Sequence, residues 1–290
     1  MRQILARPSP LKIKQNKKTL GRFLWLIVLL AILFVGLGLL SHLPKLVIDN
    51  VSVEGEGLVD FVAIKQKTLE YLSGNQALLY ARGNIFLYSK SEITDFVQRE
   101  FPRVSAITEI KRDGRKLSLW VEERQSAYLW CGYERPIYEN RFKDADCFFV
   151  DERGFIFDNA PFFTNGVYIT FYGGVTKDAD PVGQTLRLQN SMKDFDDLVA
   201  TLEDGGTKIH SIIVNADGQH ELLLDIHTAT GDFAKIIFNE EESFVVLREK
   251  LHTALTSPEF LDEFELKKDS LEYIDTRFKN RVFYKFQDGK

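Results

Sequence analysis

The sequence predicts an α+β protein carried on a single N-terminal transmembrane helix. Three observations predict it. The run "FLWLIVLLAILFVGLGLL", Phe23 to Leu40, is 18 residues without a polar side chain. Residues 46–123 read in the order strand, helix, helix, strand, strand. Residues 124–290 read as a mixed β-sheet region with packed helices. Of 290 residues, 44% are hydrophobic and 27% charged, the balance of an ordinary folded protein.

Residues 1–21 form a basic tail. Arg2, Arg7, Lys12, Lys14, Lys17, Lys18, Arg22 and Lys45 lie in the first 48 residues, which contain no acid. The formal charge is -5, so those eight leave 29 basic residues against all 42 acidic ones, and residues 49–290 carry -13. An acidic body is a poor match for a nucleic-acid phosphate backbone.

The transmembrane segment is placed at 22–43. At 1.5 Å per residue the apolar run rises about 27 Å, close to the thickness of a hydrocarbon core. A cleaved signal peptide would have a shorter apolar stretch and a small-residue cleavage site. Ser41-His42-Leu43-Pro44-Lys45 is a poor one. A buried core helix is the weaker alternative, because the run is apolar on all faces. Seven basic residues precede the run, which puts the N-terminus in the cytoplasm and the body outside the plasma membrane. Gly36 and Gly38 lie two apart and form no small-xxx-small dimer face.

In residues 46–123, "LVIDNVSVEG" alternates as a strand. Asp60 caps a helix carrying Phe61, Ile64, Thr68 and Leu72, ended by Ser73-Gly74-Asn75. Ser89 and Glu92 have capping-box spacing and open a second helix through Ile93, Phe96, Val97 and Phe101, limited by Pro102. "VSAITEIKR" and "KLSLWVEER" are strands joined at Asp113-Gly114, a hairpin signal.

Residues 124–290 continue with "CFFVDERGFIFDN", a strand, a glycine turn and a strand, and with the strand-like "VYITFYGG". A helix at 188–204 runs through Met192, Phe195, Leu198, Val199 and Leu202. "KIHSIIVNADGQHELLLDI" and "GDFAKIIFN" give three strands, with a turn at Asp217-Gly218. A helix at 241–255 runs through Phe244, Leu247, Leu251 and Leu255. "LEYIDTRFKNRVFYKF", Leu271 to Phe286, then alternates with period two. Ile274, Phe278, Val282, Tyr284 and Phe286 fall on one face, and Asp275, Arg277, Lys279, Arg281 and Lys285 on the other. What meets the free side of this strand is the question the sequence raises.

No catalytic, cofactor or metal motif stands out. His42, His210, His220, His227 and His252 are scattered, and no HExxH, phosphate loop or G-x-S-x-G occurs. No pair of carboxylates is singled out for glycoside hydrolysis. Cys131 and Cys147 lie outside the membrane by the charge bias, where a disulfide is permitted. Such a bridge would close a hairpin and contribute about 3 kcal/mol through loop entropy. The other reading is two separate buried thiols. Neither cysteine has the histidine or arginine motif of a sortase-like nucleophile.

Taken in order, the segments resemble the bacterial cell-division protein family FtsQ, called DivIB in other lineages. The likeness rests on the basic tail and membrane helix, then "VIDNVSVEG", "GNIFLYSKSEI", "FPRVSAITEIKR", "LSLWVEERQSAYLW", "CFFVDERGFIF" and "YIDTRFKNRVFYKF". It spans roughly residues 22–286. The sequence departs from the family pattern at Gln125 and Gly114, where proline is frequent, and at Thr276, where leucine is usual.

The resemblance implies a POTRA domain at 46–123 and an FtsQ-type β domain at 124–290. It implies a non-enzymatic scaffold at the division septum without a cofactor, bound to partners like FtsB (DivIC) and FtsL that control septal peptidoglycan synthesis. It also implies that the last strand is a sheet edge receiving a partner strand. Arg277, Phe278, Arg281, Val282, Phe283 and Tyr284 are the residues expected to bind. A POTRA-bearing transport or secretion component is the alternative. Such proteins generally add a barrel or repeated POTRA units, which this sequence lacks.

Overall fold

The computed structural model describes residues 17–135, 146–163, 166–188, 192–228, 231–267, 270–279 and 281–287. The chain is α+β and divides into two compact units. The first comprises Met1–Glu54, Asp60–Ile93 and Glu109–Trp120. The second comprises Gly55–Val59, Thr94–Thr108 and Val121–Lys290.

The first unit begins with helix α1, Lys17–Ser41. Its stretch Gly21–Ser41 is long and apolar enough to cross a membrane, and only 6% of its most apolar window is buried within the protein. Strand β1, Asn50–Gly55, starts later than the alternation from Leu46 predicts, because Pro44–Leu46 turn as a short 3-10 helix. Proline's fixed φ and missing N–H suit such a turn. Helix α2, Phe61–Ser73, is capped by the Asp60 carboxylate, which accepts from the Ala63 N–H. Ile64, Thr68 and Leu72 are its buried face. A small hairpin follows that the alternation did not predict, β2 at Asn75–Gln76 and β3 at Tyr80–Ala81.

Helix α3, Lys90–Glu100, opens with the Glu92 N–H bonded to the Ser89 hydroxyl. Strands β4, Val104–Asp113, and β5, Lys116–Glu123, turn at Gly114, whose φ of 58° is the left-handed conformation this turn needs. The sheet order is β1-β5-β4. Val51, Leu117 and Leu119 are fully buried in the first unit.

The second unit is built on one mixed sheet. Its further strands are β6 (Tyr128–Trp130), β7 (Cys147–Val150), β8 (Ile156–Ala160) and β9 (Thr170–Gly173), then, after helix α4 (Met192–Asp204), β10 (Ile209–Val214), β11 (Gln219–His227) and β12 (Phe233–Asn239). Helices α5 (Phe244–Leu255) and α6 (Pro258–Lys267) precede β13 (Leu271–Phe278) and β14 (Arg281–Phe286). The sheet order is β14-β13-β12-β11-β10-β9-β6-β7-β8. Pairs β6–β9, β9–β10 and β12–β13 are parallel. The parallel β12–β13 pair needs a crossover, and α5 with α6 supplies it. Phe195, Leu198, Phe244, Leu247 and Phe260 are buried in the main core with Phe171, Ile212, Leu222 and Ile236 of the sheet. Leu129, Cys131 and Tyr172 form a smaller cluster.

Two local expectations change. Helix α6 was not evident from periodicity. The run Leu271–Phe286 is also two antiparallel strands rather than one. Asp275 opposes Phe283 and Phe278 opposes Arg281, with a register shift between the two pairs. That irregularity reverses the alternation, so Phe278 leaves the face of Val282, Tyr284 and Phe286.

A candidate partner-binding edge

Strand β14 stands at one end of the nine-stranded sheet, with β13 on one side and, among the described residues, no strand on the other. The opposite end differs. There the chain covers the start of β8 itself: the Ile156 N–H donates to the Gln184 carbonyl (2.9 Å), and the Ile156 carbonyl accepts from Gly183 (2.8 Å).

The direction of the β14 amides follows from one hydrogen bond. The Gln287 N–H donates to the Ser270 carbonyl across the hairpin at 2.7 Å. Amides alternate in direction along an antiparallel strand. The Lys285 and Phe283 N–H groups therefore point toward β13, and those of Tyr284 and Val282 point to the open edge.

The side chains divide between two faces. Tyr284 and Phe286 lie on the helical side, with ring centroids 5.0 and 6.1 Å from that of Phe260 on α6. Val282 is half-buried against the same core. On the other face, Phe278 and Phe283 meet edge-on at 4.9 Å, yet remain 49% and 44% exposed. Arg281 and Lys285 are exposed beside them, and Lys285 pairs with Glu272 at 2.7 Å. The face is thus an aromatic pair flanked by cations.

Arg277 is held within the chain. Its Nε and Nη2 donate to the two Asp275 oxygens at 2.9 and 2.6 Å, and Nη1 donates to Gln219 Oε1. Hydrogen bonding from Arg277 holds the Asp275 carboxyl below the usual range, despite burial, and hydrogen bonding to Asp275 raises the guanidinium. A partner carboxylate would have to share or displace Asp275. That pairing was missed in the sequence, although D-x-R spacing on a strand puts both side chains on one face.

The hairpin is also fixed from below. Lys250 Nζ on α5 donates to the Thr276 and Phe278 carbonyls at 2.8 and 3.2 Å and pairs with Glu242 at 2.5 Å. The fully buried Thr276 donates its hydroxyl to the Ile237 carbonyl at 3.0 Å. The hairpin is therefore held from below by hydrogen bonds, and among the described residues no strand covers its outer edge.

Cys131 and Cys147 are joined in a disulfide, with their Cα atoms 4.2 Å apart. They extend the register of β6 and β7, in which Trp130 opposes Phe148. The bridge is far along the sheet from β14, with β9 to β13 between. No family model matches the chain, and no curated protein matches it.

Proposed function

We propose that this chain is a membrane-anchored, non-enzymatic scaffold of the bacterial division machinery, of the FtsQ/DivIB kind. Its basic tail lies in the cytoplasm, α1 crosses the plasma membrane once, and the body stands outside. The segment 46–123 acts as a POTRA module that takes part in recruitment to the septum. The strand-rich body holds small membrane partners like FtsB (DivIC) and FtsL, which in turn govern septal peptidoglycan synthesis.

The observation that carries this reading is the free edge of β14. An extended partner segment would bond to the outward groups of Val282 and Tyr284, and its side chains would meet Phe278, Phe283 and Arg281. The cations guard the edge against indiscriminate pairing and favour an acidic strand.

The test uses the ectodomain and a purified FtsB-like partner. Val282→Pro removes an outward N–H and leaves the internal ladder intact, so binding should be lost while circular dichroism is unchanged. Phe283→Ala should cost 2 kcal/mol or more of binding, roughly, if that ring is an interface anchor. Unchanged affinity in both variants would show that the edge is not the docking site.

A further inference from the structure

We propose that the tip of the β2–β3 hairpin, Ala77 to Tyr80, enters the lipid leaflet beside the last turns of α1. The proposal rests on reading α1 as a membrane span, and it assigns a second, non-helical membrane contact to the chain.

The depth of the tip is fixed by α1 itself. The Tyr80 hydroxyl donates to the Phe34 carbonyl at 3.1 Å, and the two rings meet edge-on at 5.1 Å. Phe34 precedes Ser41 by seven residues, about 10 Å of helical rise. It lies well inside the apolar run that ends at Leu40. Leu79 is as closely applied: a Cβ added at Gly38 would stand 3.1 Å from the Leu79 Cβ. Glycine at 38 thus lets the hairpin lie against the helix. Whatever depth Phe34 occupies, Tyr80 shares it.

The base of the contact is polar and well bonded. Ser41 Oγ accepts from the Ala81 N–H at 2.9 Å, the Ser41 carbonyl accepts from Asn84 Nδ2 at 2.9 Å, and His42 Nε2 lies 3.0 Å from the Leu79 carbonyl. At the tip the Leu79 N–H donates to the Ala77 carbonyl at 2.9 Å. That bond removes one polar pair of the tip from its surroundings, and the remaining polar groups of the turn keep it near the leaflet's headgroup side. Leu78 projects from the tip with 90% of its surface uncovered, in a left-handed backbone (φ 70°) that a side chain seldom adopts. A single exposed leucine means little by itself. Beside a span, next to a residue packed on Gly38 within a turn of the end of the apolar run, its neighbours are the acyl chains close to the headgroups. His42, just beyond the run, is suited to the boundary where those chains meet the headgroups.

The test uses the full chain in lipid nanodiscs, with a nitroxide on Leu78→Cys. Both native cysteines are in the disulfide, so the label has one site. Leu29→Cys serves as the mid-span control and Lys67→Cys, on the exposed face of α2, as the aqueous control. We expect the Leu78→Cys label to collide severalfold more often with oxygen than with a water-soluble nickel chelate, as at Leu29→Cys. Ala77→Cys must agree and guards against a local disturbance at Leu78. A Leu78→Cys label as open to nickel as that on Lys67→Cys, with Leu29→Cys still in lipid, overturns the proposal and leaves the span intact. Nickel access at Leu29→Cys would instead sink the span itself, and the proposal with it.

Discussion

Arg124 and Asp151 form a nearly buried ion pair, their side chains 16% and 6% exposed. Arg124 also donates to the Pro102 carbonyl at 3.0 Å and lies 4.4 Å from the Phe155 ring. Asp151 accepts from the Arg153 and Phe155 amides at 2.9 and 2.8 Å. Arg124→Ala would leave that carboxylate buried without its cation. We expect a loss of about 3–5 kcal/mol, read from the urea midpoint. A second residue gives a pH signature. His220 is buried, and among the described residues neither ring nitrogen has a hydrogen-bond partner in good geometry. Burial lowers its pKa, against opposing pushes from Glu240, Asp217 and the nearby Gln219 backbone. The unfolded chain then takes up a proton near pH 6.5 that the folded chain accepts only at lower pH. Stability from this site is complete above about pH 6.5 and falls as the pH drops toward the folded value. His220→Phe should flatten that decline in denaturant titrations between pH 7 and 5. The two cases mark what is legible at this scale. Caps such as Asp60 and turns such as Gly114 act over three or four residues and can be read directly. The Arg124–Asp151 pair joins residues 27 apart, and only the fold makes them neighbours.

Among elements, the β13–β14 hairpin was half legible. Its composition and strand character are plain in the sequence. Its reversal is not, because the turn lacks the usual glycine and the apolar alternation runs through it. A bulge flips one residue, Phe278, and thereby creates the exposed aromatic pair with Phe283. Helix α6 was hidden for another reason: it is short, and its core contacts centre on Phe260 and Phe264. The amide alternation along β14 makes a sharp stability prediction. Phe283→Pro removes an N–H that points into the ladder and should cost roughly 1–3 kcal/mol by leaving a β13 carbonyl unpaired. Val282→Pro should cost clearly less. Equal destabilisation in thermal melts would mean that the amide directions are assigned wrongly.

For the whole molecule, the charge bias around α1 predicts topology. A reporter active only outside the cytoplasm, fused after Lys290, should be active; activity of a cytoplasm-only reporter there would reverse the assignment. The main core of the second unit draws all its residues from 128–286. Deleting 46–123 therefore spares that core, although it removes Gly55–Val59 and Thr94–Thr108 of the same unit, among them Arg103, which donates to Asp158 at 2.6 Å, and Pro102, whose carbonyl accepts from Arg124. We expect the deleted protein to keep a cooperative melt at a somewhat lower temperature. If the segment recruits the chain to the septum, the protein should also spread around the membrane instead of forming mid-cell bands. The α+β class and the broad order of elements were readable because each strand and helix announces itself by period. The nine-strand order was not, since pairings such as β6 with β9 depend on contacts some 40 residues apart.

The bond between Cys131 and Cys147 gives the backbone a second route. Any peptide bond between those residues can be cut without dividing the molecule into two, because the sulfur link still connects the parts. A protease acting at Arg141 or Lys143 would leave one band on a non-reducing gel and two on a reducing gel. The same link would hold β6 and β7 in register while the backbone between the two cysteines is cut.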